Sequence, residues 1–313
     1  MKVDRRDFLK VLSAGAVTAA VPDNVFARAK KEVSSDAVGI LYDSTLCIGC
    51  KNCEMACQNY NPLSSQASDN KNTDFDPYTF ALNKIQIYRN SDGTNKESKD
   101  GYSFFKKACM HCIDPNCVSA CPASALTKNN KTGIVSWNGD ACIGCRYCQV
   151  ACPFLIPKFE YEAAFPKIIK CEMCEHVQAE GKIPGCCDSC PTGAAVFGKF
   201  SDILKEAKHR LDLPEKADYN YPVGDLSRER SKTNPVKKYI NYVYGEKEGG
   251  GTQYLILSAV PFEKLGLPKL PDYSNASKTE GIQHTIYKGM IAPIVLFAGL
   301  AFTTYKTANA EDE

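Results

Sequence analysis

The sequence predicts an α+β protein built from cysteine-rich loops, short strands and short helices, with one apolar helix at the C-terminus. Three observations lead to this prediction. All 17 cysteines of the 313 residues lie between Cys47 and Cys190. The segments around them carry short strand and helix patterns. Residues 289–305 contain no charged side chain, which is typical of a helix that is apolar all round.

Composition limits the function classes. Hydrophobic residues make up 44% and charged residues 24% of the chain, which excludes a disordered chain and a polytopic membrane protein. The net charge of +2 creates no field that would attract nucleic acid. The chain is too long to need disulfides in place of a core. We therefore interpret the cysteines as metal ligands.

The two ends of the chain predict export and membrane attachment. Arg5 and Arg6 precede an apolar run and a small-residue stretch, so residues 1–29 are interpreted as a twin-arginine signal peptide. An amphipathic N-terminal helix is the alternative. The uncharged run near the C-terminus would extend about 26 Å as a helix, near the lower limit for crossing a bilayer. We expect a transmembrane anchor at 283–306, an acidic tail at 307–313, and a location on the periplasmic face of the inner membrane; a buried C-terminal helix is the alternative.

The cysteines form four groups, and two of the groups follow one pattern. The groups are Cys47, Cys50, Cys53 and Cys57; Cys109, Cys112, Cys117 and Cys121; Cys142, Cys145, Cys148 and Cys152; and Cys171, Cys174, Cys186 or Cys187, and Cys190. The first and third groups have the C-x2-C-x2-C-x3-C spacing of bacterial ferredoxins, which bind 4Fe-4S clusters. Three cysteines of such a run ligate one cluster, and the fourth ligates the neighbouring cluster.

Zinc is the main alternative for four-cysteine groups, because C-x2-C pairs also occur in zinc ribbons. Zinc sites usually combine two separated pairs, whereas the first and third groups add a third and a fourth cysteine in the same run. Disulfides are disfavoured by the close spacing and by the odd number of cysteines. A zinc-stapled periplasmic binding module stays a remote alternative.

The fourth group contains one cysteine too many. Only Cys186 keeps the three-residue gap before the final cysteine, Cys190, that the other groups show. We therefore predict that Cys186 is a ligand and that Cys187 is a packed free thiol. His111, between two ligands of the second group, is interpreted as a packing side chain. Lys51 and Arg146 lie inside the predicted ligand loops. Two roles stay open for each: a positive charge that favours the reduced form of the cluster, or a loop charge that is simply solvated.

The remaining segments carry local structure rather than catalytic motifs. Residues 85–88 and Tyr254–Leu257 predict strands, and 201–211 predicts an amphipathic helix with Ser201 as its N-cap. The glycines at 249–251 are interpreted as a close backbone turn. The sequence has neither a nucleophile elbow nor a dinucleotide-binding fingerprint, so we expect no catalytic site.

With these motifs, the sequence resembles the four-cluster ferredoxin subunits of membrane-bound oxidoreductases, such as the iron-sulfur subunits of formate dehydrogenase and polysulfide reductase. The resemblance covers residues 40–200. It is particularly strong to the hydrogenase-2 type iron-sulfur electron-transfer subunits. The segments that carry this are 41–47 (LYDSTLC), 114–119 (DPNCVS), 244–253 (YGEKEGGGTQ) and 283–290 (QHTIYKGM).

The resemblance implies a domain organisation and a ligand assignment. A four-cluster body at 30–200 would contain an outer ferredoxin unit, 38–100 plus 165–200, and a unit inserted in it at 101–164. Residues 201–282 would form a partner-docking extension. The implied ligand sets of the four 4Fe-4S clusters are set A (Cys47, Cys50, Cys53, Cys190), set B (Cys57, Cys171, Cys174, Cys186), set C (Cys109, Cys112, Cys117, Cys152) and set D (Cys121, Cys142, Cys145, Cys148).

The resemblance also implies a function. The chain would carry electrons between a periplasmic NiFe hydrogenase, which consists of a small and a large subunit, and an integral-membrane quinone-reactive subunit. It would have no substrate site of its own and no nucleic-acid partner. The alternative is the equivalent subunit of a molybdopterin oxidoreductase, such as formate dehydrogenase or polysulfide reductase.

Overall fold

A computed structural model gives the fold. It describes residues 28–29, 31–61, 81–89, 101–161, 166–227, 229–284, 287, 297–298 and 301. The chain divides into two compact units, one with Lys30–Ala276 and one with Met1–Ala29 and Ser277–Glu313. All cysteines belong to the first unit. The predicted signal peptide lies outside the described residues except for 28–29.

The predicted C-terminal transmembrane anchor requires correction. Within the ranges that the structure describes, no helix has both the length and the apolar character needed to span a membrane. Most of 289–305 lies outside the described residues. The anchor at 283–306 and the inner-membrane localisation derived from it are therefore contradicted.

The regular elements of the described residues are short. The strands are β1 (Val38–Asp43), β2 (Lys84–Arg89), β3 (Tyr102–Lys107), β4 (Leu126–Lys128), β5 (Val135–Trp137), β6 (Lys158–Phe159), β7 (Ile168–Ile169), β8 (Ala195–Lys199), β9 (Asp218–Pro222), β10 (Gly224–Asp225), β11 (Ser231–Pro235) and β12 (Tyr254–Leu257). The helices are α1 (Asn52–Tyr60), α2 (Asn116–Ser119), α3 (Tyr147–Ala151), α4 (Glu175–Gln178), α5 (Gly185–Asp188) and α6 (Phe200–Asp212). The mixed α and β content confirms the coarse fold class.

A four-stranded sheet joins the two ends of the cysteine-rich segment. Its strand order is β10-β8-β1-β12. Strand β1 pairs antiparallel with β8 and parallel with β12. The predicted strand Tyr254–Leu257 is confirmed as β12, and all four of its side chains are buried. Because β1 precedes the first cysteine and β8 follows the last, this sheet closes the segment into a loop.

Helix α6 covers one face of this sheet. Ile203 and Ala207 are fully buried in a cluster with apolar side chains of β1, β8 and β12, so the predicted amphipathic helix is confirmed. The N-cap prediction is wrong, because the helix begins at Phe200 with Lys199 as its N-cap. Ser201 lies inside the first turn and its hydroxyl donates to the neighbouring Asp202 carboxylate at 3.4 Å.

A buried ion cluster ties α6 to the end of β1. Arg210 is fully buried, and its Nη1 donates to Asp43 Oδ2 at 3.1 Å. Its Nε donates to Glu206 Oε1 at 2.8 Å, and the Tyr239 hydroxyl donates to Asp43 Oδ2 at 2.7 Å. Asp43 directly precedes the loop that carries the first cysteine. The cluster therefore fixes the point at which the sheet leads into the first ligand loop.

Other predicted local features are present. Residues 85–88 lie within β2, which forms an antiparallel hairpin with β3, as predicted. Gly251 has φ +96°, and a Cβ added there would lie 2.8 Å from the side chain of Ile113 and 3.0 Å from the carbonyl oxygen of Glu246. The glycine run thus makes the close turn expected of it. The Ile113 N–H donates to the Gly251 carbonyl at 2.9 Å, which fastens this turn to the second cysteine loop.

We predict that Arg210→Met destabilises the protein by about 3–5 kcal/mol, because it leaves two buried carboxylates without their counter-charge. The check is the thermal unfolding midpoint of the purified full chain. Lys205→Met is the control, since Lys205 lies on the same helix but is 78% exposed and forms only a surface pair, which contributes little. Equal midpoints for the two variants would contradict the structural role of the ion cluster.

Candidate metal centres

The repeated cysteine motif folds into a repeated loop. Gly49 and Gly144 have φ +69° and +68°, and Lys51 and Arg146 have φ 61° and 63°. Each pair of left-handed residues curls the chain tightly between ligand cysteines, immediately before α1 and α3. Both cations are exposed, and the Arg146 guanidinium stacks 5.1 Å from the centre of the Phe159 ring. This favours the interpretation as loop charges in contact with solvent.

The four thiols of set B line one cavity. The walls contain Cys57, Cys171, Cys174 and Cys186, together with Asn61, Lys106 and Tyr254. Two side-chain donors point at sulfur. Asn61 Nδ2 lies 3.5 Å from Cys174 Sγ, and Lys106 Nζ lies 3.1 Å from Cys186 Sγ. Hydrogen bonds to sulfur stabilise its anionic form, which is the form that binds metal.

The four thiols of set D line a second cavity. Its walls are Cys121, Cys142, Cys145 and Cys148, with Ala125, Leu126, Trp137 and Ile168 among the others. The Ala125 N–H donates to Cys121 Sγ at 3.2 Å. The indole Nε1 of Trp137 is buried and has no hydrogen-bond partner among the described residues. Because buried donors are normally paired, this one fits a bound group that carries acceptors, such as the sulfides of an iron-sulfur cluster.

The thiols of set C are also neighbours. Burial raises the pKa of Cys112, and the nearby thiols of Cys152, Cys109 and Cys117 raise it further. Burial likewise raises the pKa of Cys152 to about 11, although the backbone N–H groups of the residues that follow it oppose the rise. Cys152 belongs to the third motif, so the fold brings it back to the cysteines of the second.

Set A shows the same relation between distant motifs. Burial raises the pKa of Cys47, and the Cys190 and Cys50 thiols add to this, while hydrogen bonds from the Tyr42 hydroxyl and the Gly49 N–H lower it. Burial also raises the pKa of Cys53, where Cys190 again contributes. The last cysteine of the chain therefore lies beside the first cysteine loop.

Successive sets are in turn adjacent. Burial is the largest cause of the raised pKa of Cys53, Cys171 and Cys117, and a thiol of the next set adds to it in each case. Cys186 of set B raises the pKa of Cys53 in set A. Cys109 of set C raises the pKa of Cys171 in set B, and Cys148 of set D raises the pKa of Cys117 in set C. Neighbouring thiols thus link set A to set B, set B to set C, and set C to set D.

Buried lysines accompany these sulfurs. Lys106 and Lys170 are 1% and 3% exposed. Lys170 Nζ donates to the Cys171 carbonyl at 3.2 Å, and Lys128 Nζ donates to the Cys112 carbonyl at 3.0 Å. Their positive charges lie where clusters of thiolates would concentrate negative charge.

His111 is a packing residue, as interpreted from the sequence. Its ring is 1% exposed, and Nδ1 accepts a hydrogen bond from the Val135 N–H at 3.1 Å. Burial lowers the pKa of His111, and Lys170 and Lys128 lower it further. The ring is therefore neutral and holds β5 against the second cysteine loop.

The geometry differs from that of a single-ion site. Within the described ranges, no group of three or more His, Cys, Asp or Glu side chains is arranged to hold one metal ion. The thiols of sets B and D instead stand around the walls of cavities.

Sequence reasoning missed three polar side chains of these sites. They are Asn61, Lys106 and Trp137. The cysteine spacing reveals ligands but not the donors that face them, because those donors come from other loops and strands. One signal was available for Lys106, which lies in a strand directly before a ligand cysteine.

Comparisons with known proteins indicate 4Fe-4S binding. Residues 101–200 match the family model of the 4Fe-4S dicluster domain. The chain is 46% identical over 310 residues to the hydrogenase-2 operon protein HybA of Escherichia coli O157:H7, covering 95% of this chain and 94% of that protein. It is 28% identical over 311 residues to the iron-sulfur subunit of nitrate-inducible formate dehydrogenase of Escherichia coli K12, covering 96% and 93%. It is 30% identical over 247 residues to protein NrfC of the same strain, covering 79% and 99%.

Cys186 and Cys187 have opposite environments although both are buried. The hydrogen bond from Cys187 and the ammonium of Lys106 hold the pKa of Cys186 below its ordinary value despite burial. Burial and the neighbouring Cys186 sulfur raise the pKa of Cys187. Cys186 Sγ also lies 3.1 Å from Lys106 Nζ and lines the set B cavity, whose lining does not include Cys187. This supports Cys186 as the ligand.

We predict that Cys186→Ser loses one cluster, about four irons per chain, whereas Cys187→Ser keeps them all. The measurement is iron content per chain after anaerobic purification. The two variants serve as each other's control, because they remove the same atom from adjacent buried positions. Iron loss in Cys187→Ser alone would reverse the assignment.

Proposed function

Since the chain belongs to the family of the hydrogenase-2 operon protein HybA, we propose that it is the iron-sulfur electron-transfer subunit of a hydrogenase. The observation that carries this proposal is the similarity to HybA along nearly the whole of both chains. As such a subunit, the chain is not itself the enzyme that turns over a substrate. A molybdopterin enzyme as partner is less well supported, because the formate dehydrogenase subunit is less similar.

The cofactors are 4Fe-4S clusters, and we propose that sets A to D hold four of them. When bound, such clusters accept and release single electrons. The chain supplies thiolates as ligands, and Asn61 and Lys106 as donors to ligand sulfur. Apolar side chains such as Leu126 and Ile168 line the set D cavity. Hydrogen bonding and burial are the means by which a protein tunes such a cofactor.

The nested ferredoxin arrangement is part of the proposal. Helices α1 and α5, which carry cysteines of the first and fourth groups, contact each other. Helices α2 and α3, from the second and third groups, also contact each other. These contacts support an outer unit built from the first and fourth groups and an inserted unit built from the second and third.

The adjacency of the sets supports a linear path. Because set A neighbours set B, set B neighbours set C, and set C neighbours set D, an electron entering at one end passes through the two middle clusters to the other. Sets A and D are then the two terminal sites. We propose that each terminal site faces one redox partner.

Exposed apolar side chains at the two terminal loops support this. Ile48 and Met55, in the first motif, are 60% and 59% exposed. Ile143 and Val150, at the same positions of the repeated motif, are 69% and 88% exposed. Exposed apolar groups that surround a redox centre are typical of a protein interface. We propose that one loop contacts the small subunit of a NiFe hydrogenase and the other a quinone-reactive membrane subunit.

The two loops allow a matched test of this arrangement. We predict that Met55→Asp and Val150→Asp each abolish co-purification with one partner and keep the other, because a charge opposes burial at an interface. Ile87→Asp is the control, since Ile87 is 50% exposed on the β2–β3 hairpin and outside both loops. If one variant lost both partners, or if both variants kept both partners, the proposal of two separate docking loops would be contradicted.

Metal analysis of the complex isolated through this chain identifies the partner. We predict nickel in the complex and about sixteen irons bound to this chain. Molybdenum in place of nickel would favour the molybdopterin alternative. An iron-free, zinc-containing chain would overturn the electron-transfer function.

A further inference from the structure

Lys106 is a buried cation that has sulfur as its counter-charge. Its side chain is 1% exposed, and Nζ lies 3.1 Å from Cys186 Sγ and 5.3 Å from the centre of the Tyr254 ring. Within the described part of the chain, Lys106 forms no ion pair with a carboxylate. A buried ammonium is costly unless an opposite charge lies nearby. Its position is therefore explained by negative charge on the sulfurs it faces.

The ammonium lies at the cavity of set B. Lys106 is part of the cavity lining, together with all four thiols of that set. Strand β3 thus places one buried positive charge at the set B site.

We propose that Lys106 raises the reduction potential of the cluster held by set B, and so controls how readily that cluster accepts an electron. This inference rests on the proposed function. Each reduction adds one electron to a thiolate-ligated cluster, with no bond formed and no proton taken up. A nearby positive charge stabilises the added negative charge, and burial keeps solvent from screening the interaction.

A second buried lysine of the same hairpin provides the control. Lys84 is also 1% exposed, but its ammonium lies 3.9 Å from the Glu54 carboxylate. Lys84 is not among the residues that line the set B cavity, so we expect its loss to change the field at that site less. Both lysines lie on paired strands of one hairpin, so their replacement perturbs packing in comparable ways.

The experiment is a redox titration of the anaerobically purified full chain, with dithionite as reductant and electron paramagnetic resonance as readout. We expect Lys106→Met to keep its iron and its cluster signals, with at least one midpoint potential shifted to a more negative value. Lys106→Arg keeps the positive charge, so we expect its midpoint potentials to stay close to those of the unmodified protein. We expect the same of Lys84→Met.

Unchanged potentials in an iron-replete Lys106→Met would overturn the inference and leave the proposed function intact. Absence of cluster signals from the unmodified chain would instead overturn the proposed function. If Lys106→Met loses iron, Lys106→Gln replaces it, because glutamine keeps an N–H donor without the charge. Iron loss in the glutamine and arginine variants alike would show a packing role and reject the proposal.

Discussion

The burial of many closely spaced thiols is the constraint on which the rest of this structure depends. Burial raises the pKa of cysteines in every set, and neighbouring thiols raise it further. Metal binds the deprotonated form, so cluster binding is coupled to the loss of these protons. Deprotonating buried thiols is costly, and hydrogen-bond donors and cations directed at sulfur, such as Asn61 and Lys106, reduce this cost. Metal ions supply the remaining positive charge, and the fold and its cofactors are therefore energetically inseparable.

The four-stranded sheet brings together cysteines that are distant in the sequence. The cysteines of set A come from opposite ends of the cysteine-rich segment, and pairing of β1 with β8 brings those ends together. Strand β12, contributed by the following segment, pairs with the other side of β1. Arg210 then locks the end of β1 to α6 through Asp43. The first cysteine loop is thus anchored by side chains outside the cysteine motifs.

The sequence predicted elements that local patterns encode and missed contacts between residues that are distant in the chain. Cysteine spacing marks each cysteine loop within about ten residues, and alternating or fully apolar runs predicted β2 and β12. The contact of Lys106 with Cys186 joins residues 80 positions apart, and no local pattern encodes it. The N-cap at Ser201 was wrong because the adjacent β8 runs directly into α6. The membrane anchor was inferred from the absence of charge in one run, but no helix of the described residues is long and apolar enough to cross a membrane.

The central claim is that four iron clusters lie in a row, each between thiols drawn from different motifs. Anomalous X-ray scattering at the iron absorption edge, from crystals of the intact chain with its partners, tests it most directly. The account predicts four iron-containing peaks in the order A, B, C, D, each enclosed by the four sulfurs of one set. Peaks enclosed by a single consecutive motif, or anomalous signal at the zinc edge only, would contradict it.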